Sequence, residues 1–126
     1  MKRILLCLMV ALFATGCLFA KNNDEKMNVM SYNIRYDNSG DKDNQWKFRR
    51  DFAADLVKFY EADVFGAQEV LNNQLNDLLD RLPEYAYVGV GREDGKTKGE
   101  YAPIFYRKDR FSVEKSGNFW LAEDIN

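Results

Sequence analysis

The amino-acid sequence predicts an α/β fold, on three observations. Residues 27–34 and 63–67 are largely apolar stretches that are each followed by polar side chains, as is typical where a strand of a sheet ends. The segment between them repeats its apolar side chains with the period of a helix. A hydrophobic fraction of 46% in 126 residues is enough for one packed core. Strand, helix and strand in this order imply a right-handed parallel crossover.

The first strand is predicted over residues 27–34. Its side chains alternate between two faces, so that Val29, Ser31 and Asn33 share one of them. We expect both faces to be buried. Residues 37–45 are dense in Asp, Asn, Ser and Gly, which favour turns, and they predict a surface loop.

A helix is predicted from Trp46 onward, packed on the sheet, and the second strand follows over residues 63–67. Lys47 and Lys58 fall outside its apolar face. The side chains predicted for that face are Trp46, Arg49, Phe52, Ala53, Leu56, Val57 and Tyr60.

The second half of the chain predicts one more helix and three more strands. Pro83 ends the helix because proline restricts the residue before it and has no amide donor. The strands are expected over residues 85–90, 101–106 and 111–120, with a glycine-rich loop at 91–99. No helix or polar cap follows, so we expect an incomplete architecture with an exposed sheet edge. The apolar stripe of the helix comprises Leu71, Leu75, Leu78, Leu79 and Leu82.

Asn33 and Glu69 are the candidate functional residues. Each follows one of the two strands that the crossover makes parallel, and ligands of open α/β sheets gather where such strands end. An amide oxygen and a carboxylate suit Mg²⁺, which takes one or two protein carboxylates and completes its shell with water and substrate phosphate. Without further context, Asn33 could equally cap a turn, and Glu69 could favour the start of a helix.

The first residues predict export. Lys2 and Arg3 precede an unbroken apolar run over residues 4–13, which is too short to span a bilayer and is typical of a secretory signal. Ala14, Gly16 and Cys17 resemble a bacterial lipobox, in which Cys17 becomes the lipidated first residue of the mature protein. Cleavage after Gly16 or Ala20 is the alternative.

The predicted organisation is a signal over residues 1–20, a polar linker over 21–26 and one domain over 27–126. Both cysteines lie in the leader, so the domain depends on packing without disulfides. The net charge of −2 becomes −4 once Lys2 and Arg3 are removed. A negative net charge argues against a protein that binds a long nucleic acid through its phosphate backbone.

With these segments in place, the chain resembles the endonuclease/exonuclease/phosphatase family of Mg²⁺-dependent phosphoesterases from Met27 to its last residue. Several motifs occur in the order that the family shows. They are Ser31-Tyr32-Asn33-Ile34, Trp46 with Arg49 or Arg50, Asp63-Val64 through Gln68-Glu69, Gly89-Val90-Gly91-Arg92, Glu100-Tyr101-Ala102-Pro103-Ile104-Phe105-Tyr106-Arg107 and Ser116-Gly117-Asn118-Phe119-Trp120-Leu121.

The resemblance implies the N-terminal half of a two-sheet, four-layer α/β sandwich. By position, Glu69 would be the main ligand of Mg²⁺ or Mn²⁺, and Asn33 would be a second ligand or would orient the water network. Arg92 and Glu100 stand where related nucleases place a phosphate-facing arginine and a glutamate that steadies a histidine. The family's later histidine and Gly-Asp-Phe-Asn elements do not occur here, and the sequence contains no histidine.

The resemblance implies a hydrolase of phosphodiesters or phosphomonoesters, and the leader predicts its export to the bacterial periplasm or the outer membrane surface. Its substrates would be nucleic acids or phospholipid headgroups, it would reach the membrane through the lipid on Cys17, and no protein partner is expected. The catalytic half is missing from this sequence, so we expect the chain alone to be inactive. A non-catalytic binding module or surface lipoprotein is the alternative, and an unrelated α/β interaction domain is the third.

Arg49 and Arg50 are expected to pair with nearby acids rather than to clamp phosphate. Trp46, Phe119 and Trp120 are expected in the core or at its rim.

Overall fold

A computed structural model of the chain describes residues 26–119 and 121. The predicted leader, Cys17 and Trp120 therefore lie outside the described residues. In chain order the elements are β1 (Val29–Asn33), a 3₁₀ segment (Ser39–Asn44), α1 (Trp46–Phe59), β2 (Val64–Gln68), α2 (Asn72–Arg81), β3 (Tyr85–Val88) and β4 (Ile104–Arg107).

The four strands form one mixed sheet in the order β1-β2-β4-β3. β1 and β2 are parallel, with Val29 opposite Val64 and Asn33 opposite Gln68. The other two pairings are antiparallel. The parallel crossover predicted from the sequence is confirmed, and it brings the carboxyl ends of β1 and β2 to the same edge.

The core lies between the sheet and the two helices. Phe65 of β2 and Phe105 of β4 are both fully buried and stack with their ring centroids 4.5 Å apart. Leu75 and Leu78 of α2 and Val57 of α1 belong to the same buried cluster. The predicted leucine stripe of α2 is thus confirmed for Leu75, Leu78, Leu79 and Leu82, which are buried in this cluster or pack against it.

The opposite face of the sheet is open among the described residues, so the expectation that β1 is buried on both faces is wrong. Val29 is 65% exposed and Ile104 is 48% exposed. Ser31 and Asn33 are exposed on the same side, whereas Ile34 is buried in the core. The described elements form one sheet and one layer of helices.

The buried face of α1 differs from the predicted one. Phe52 is 67% exposed and Tyr60 is 57% exposed, whereas Ala53 and Ala54 are buried. The buried face of α1 is therefore centred on these two small side chains, and Phe52 lies outside it. Trp46 is buried as expected.

The strand expected over residues 111–120 is absent from residues 111–119. After β4 the backbone turns back on itself, with the amides of Arg110 and Phe111 both donating to the carbonyl of Arg107. The chain therefore leaves the sheet at this point, and Phe119 is 83% exposed rather than part of the core. The predicted loop over 37–45 is exposed but contains the 3₁₀ segment.

No helix in the described part of the chain combines the length and apolar character that crossing a bilayer requires.

Candidate functional site

Asn33 and Glu69 meet at the edge where the two parallel strands end. The Nδ2 of Asn33 donates to the Oε1 of Glu69 at 2.8 Å, and the Oδ1 of Asn33 accepts from the backbone amide of Arg35 at 2.8 Å. The backbone amide of Tyr36 donates to the Oε2 of Glu69 at 3.2 Å. The carboxylate is therefore held from two sides by the end of β1 and the loop after it.

Glu69 occupies a strained backbone conformation. Its φ of 60° lies in the left-handed region, which non-glycine residues rarely adopt. It follows β2 directly and precedes α2, so it does not open the helix. Strain of this kind persists where surrounding contacts fix it, and it is concentrated at functional sites.

Gln74 holds the two loops of the site together from within the core. This side chain is fully buried. Its Oε1 accepts from the amides of Asp37 at 3.0 Å and Leu71 at 3.1 Å, and its Nε2 donates to the carbonyl of Arg35 at 2.9 Å. One amide thus ties the loop after β1 to the segment after Glu69.

Arg49 also fixes the loop that follows β1. Its guanidinium donates to the carbonyls of Ile34 at 2.7 Å, Arg35 at 3.3 Å and Asn44 at 2.5 Å. Arg50 instead forms an ion pair with Asp77 at 3.4 Å. The expected pairing with an acid thus describes Arg50, whereas Arg49 binds backbone carbonyls.

The hydrogen bond from Asn33 lowers the pKa of Glu69 below its usual value, and the amide of Tyr36 and the charge of Arg35 act in the same direction. Donors aimed at a carboxylate favour its charged form. The lowered pKa favours the ionised carboxylate, which is the form that binds a metal.

Arg92 and Glu100 line a cleft of about 630 Å³ together with Glu69. The Nη1 of Arg92 lies 3.3 Å from the Oε2 of Glu100. Backbone hydrogen bonds between Val70 and Tyr101 bring this loop against the end of β2. The cleft therefore brings the Glu69 carboxylate, at the end of β2, together with the Arg92 guanidinium and the Glu100 carboxylate of one loop.

The residues present fit part of a magnesium shell. Both oxygens of the Glu69 carboxylate and the Oδ1 of Asn33 retain a lone pair beyond the hydrogen bonds they accept. No group of three or more His, Cys, Asp or Glu side chains with metal-binding geometry occurs within 26–119 and 121. Glu69 and Asn33 thus supply at most a partial set, which agrees with the preference of Mg²⁺ for few protein ligands.

Sequence reasoning did not find Gln74, Tyr36 or the backbone role of Arg49. Gln74 lies on the apolar face of α2, between Leu71 and Leu78. A polar residue among apolar ones is the feature of the sequence that indicates a buried polar role. The amide of Tyr36 has no signature in the sequence, because any residue except proline supplies one. Lipidation at Cys17 lies outside the described residues.

This is an α/β protein with a carboxylate and an amide at the shared end of two parallel strands. An endonuclease/exonuclease/phosphatase protein from Bacteroides vulgatus is 54% identical with a TM-score of 0.73, over 76% of this chain and 37% of its own. The mannosyl-6-phosphatase of Bacteroides thetaiotaomicron is 44% identical with a TM-score of 0.75, over 78% of this chain and 38% of its own. Among curated proteins, a 3'-5'-exoribonuclease subunit of the CCR4-Not complex from Mycosarcoma maydis is 28% identical over 108 residues, which are 16% of its length.

The resemblance to the endonuclease/exonuclease/phosphatase family is confirmed, because these relatives match most of the chain in both sequence and fold. It spans less than two fifths of the length of the solved relatives that it matches. No protein-family model matches it.

Proposed function

We propose that this chain is the part of a divalent-metal-dependent phosphoesterase that provides Glu69 as a metal ligand. The observation that carries the proposal is the 2.8 Å hydrogen bond between Asn33 and Glu69 at the common end of two parallel strands. It places an ionised, oriented carboxylate where ligands bind in open α/β sheets. The family of the solved relatives supports the same class of chemistry.

In phosphoester hydrolysis, a bound divalent cation such as Mg²⁺ or Mn²⁺ polarises a phosphoryl oxygen and offsets charge that develops in the transition state. Glu69 would hold this ion, and Asn33 and the amide of Tyr36 keep the carboxylate charged and fixed in direction. Arg92, in the same cleft, would contact the phosphate. Glu100 orients the Arg92 guanidinium through their ion pair.

Phosphomonoesters of sugars are the substrates that we favour over nucleic acids. A mannosyl-6-phosphatase is 44% identical to the chain, and the chain itself is acidic. We further propose export to the periplasm or outer membrane surface with a lipid on Cys17, because the leader has the features of a lipoprotein signal.

The test compares the complete reading frame that contains this chain with the 126-residue chain alone. We expect Mg²⁺-dependent hydrolysis of mannose 6-phosphate, or of a nitrophenyl phosphodiester, by the product of the complete frame and none by the chain alone. Glu69→Gln in the former should lower kcat by about 10²–10³-fold, the usual scale for a lost electrostatic group. Glu84→Gln, at the other end of the sheet, is the matched control and should leave kcat unchanged.

Unchanged turnover of Glu69→Gln would refute the metal role. A reading frame that ends at Asn126, with no hydrolysis of any phosphoester, would instead favour the non-catalytic binding module.

A further inference from the structure

An exposed apolar patch lies at the end of the sheet opposite the candidate site. It consists of Met27, Phe59 and Tyr60, which are 54%, 78% and 57% exposed, and we call it the tether-side patch. The rings of Phe59 and Tyr60 meet edge to face with centroids 5.1 Å apart. An apolar recess of about 400 Å³ adjoins them, between Tyr60, Ala62 and the start of β1.

The patch is where the described chain begins. The side chain of Asn28 donates to the carbonyls of Tyr60 at 3.5 Å and Glu61 at 3.1 Å, which fastens the start of β1 to the end of α1. Nine residues, 18–26, separate Met27 from Cys17. Fully extended, this segment reaches about 30–36 Å. A lipid on Cys17 would therefore keep the patch close to a bilayer.

We infer that the tether-side patch rests on the lipid surface and turns the candidate site toward the aqueous phase. The inference depends on the proposed lipid attachment of Cys17. Phe, Tyr and Met side chains suit the boundary between headgroups and acyl chains, and a short tether raises the local concentration of such a patch at the bilayer. From Val29 to Asn33, β1 puts about 13 Å between this end of the sheet and the candidate site.

The contact would be apolar rather than electrostatic. Lys58 and Arg107 at this end of the sheet line a recess together with Glu61 and Glu84, so the local charge is mixed. We therefore expect the contact to persist in neutral lipid and at moderate salt. A site that faces away from the bilayer would receive soluble phosphate esters rather than headgroups of the same membrane.

The experiment supplies the anchor chemically, so that its outcome depends on neither signal processing nor enzymatic activity. Cys17 is the one cysteine in residues 17–126, and it is coupled to a diacyl maleimide. The product is placed at submicromolar concentration on vesicles of phosphatidylethanolamine, with and without phosphatidylglycerol. The reference is the same chain with Cys17 capped by a small maleimide. Hydrogen exchange is followed by mass spectrometry over residues 56–62 and 91–100.

Amide exchange over 56–62 should be at least about three-fold slower in the anchored chain, with no change over 91–100. Phe59→Ser with Tyr60→Ser should abolish this protection. Phe48→Ser with Phe52→Ser removes two aromatic side chains that are 62% and 67% exposed on the same helix, and it should leave the protection intact. Both variants should fold because all four side chains are exposed, and circular dichroism checks this.

Three results would overturn the inference. They are equal exchange over 56–62 in the anchored and capped chains, protection of 91–100 instead, and equal loss of protection in the two double variants. Exchange over 56–62 that is as slow in the capped chain without vesicles as in the anchored chain would also overturn it, because a second copy of the chain would then cover the patch.

Discussion

Gln74 shows how much of the candidate site depends on one buried amide. Its three hydrogen bonds satisfy two backbone amides and one carbonyl of the loops that position Asn33 and Glu69. A leucine of similar volume would leave these backbone groups unpaired beneath the surface. Each buried unpaired group costs about 1–3 kcal/mol.

We predict that Gln74→Leu lowers the free energy of unfolding by about 2–4 kcal/mol, because not every freed group finds water. Urea denaturation followed by circular dichroism measures the change. Gln68→Leu is the matched control, since Gln68 is half-buried at the end of β2, and it should change stability by less than about 0.5 kcal/mol. Equal losses in both variants would show that the hydrogen bonds of Gln74 do not stabilise the two loops.

The ionisation of Glu69 gives a second prediction. Because its folded pKa is lowered, Glu69 adds stability above its unfolded pKa and loses that contribution as the pH falls through the folded pKa. Asn33→Ala removes the largest cause of the shift and should move the pKa of Glu69 upward toward its usual value. Titration of the Glu69 carboxyl carbon by NMR measures this, and an unchanged pKa would show that Asn33 does not stabilise the charge.

At the scale of the elements, the sequence predicted what depends on periodicity. The leucine stripe of α2 and the crossover of β1, α1 and β2 follow from apolar spacing, and the structure has both. The face of α1 that is buried could not be predicted from apolar spacing in the same way. Ala53 and Ala54 are buried and Phe52 is not, whereas hydropathy alone favours burial of the larger Phe52.

The missing strand over 111–119 has a different cause. Phe111 and Val113 resemble the start of a strand, but a strand also needs a neighbour to pair with. The backbone hydrogen bonds of Arg110 and Phe111 to Arg107 close a turn that directs the chain away from β4. Pairing of this kind is not encoded in local composition.

The packing of α2 can be tested by truncation. Leu78 is buried at 1% exposure in the cluster with Phe65 and Phe105, whereas Leu79 only packs against its edge. Leu78→Ala should lower the free energy of unfolding by about 2–5 kcal/mol, and Leu79→Ala by clearly less. Urea denaturation of the two variants distinguishes them, and a larger loss for Leu79→Ala would contradict the packing described.

At the scale of the whole molecule, the two faces of the sheet differ. One is covered by α1 and α2, and the other exposes Val29 and Ile104. The sequence predicted an incomplete architecture, and the described residues contain one sheet with helices on one face. The chain also spans only 37% of its relative from Bacteroides vulgatus.

We therefore expect the 126-residue chain to be poorly soluble and to self-associate through this open face. Val29→Thr with Ile104→Thr should reduce the association seen by sedimentation velocity. Phe48→Thr with Phe52→Thr, on the helix layer, should reduce it less. A monomeric chain at tens of micromolar would contradict the expectation.

Binding of a divalent cation by Glu69, with Asn33 beside it, is the central property proposed for this protein. Mn²⁺ broadens the NMR signals of nearby nuclei, so titrating it into the isotope-labelled chain tests this directly. We predict that the side-chain amide of Asn33 broadens before that of Asn76 on the outer surface of α2, and that Glu69→Gln abolishes the difference. Identical broadening of Asn33 in the wild-type chain and in Glu69→Gln would contradict the proposed metal site.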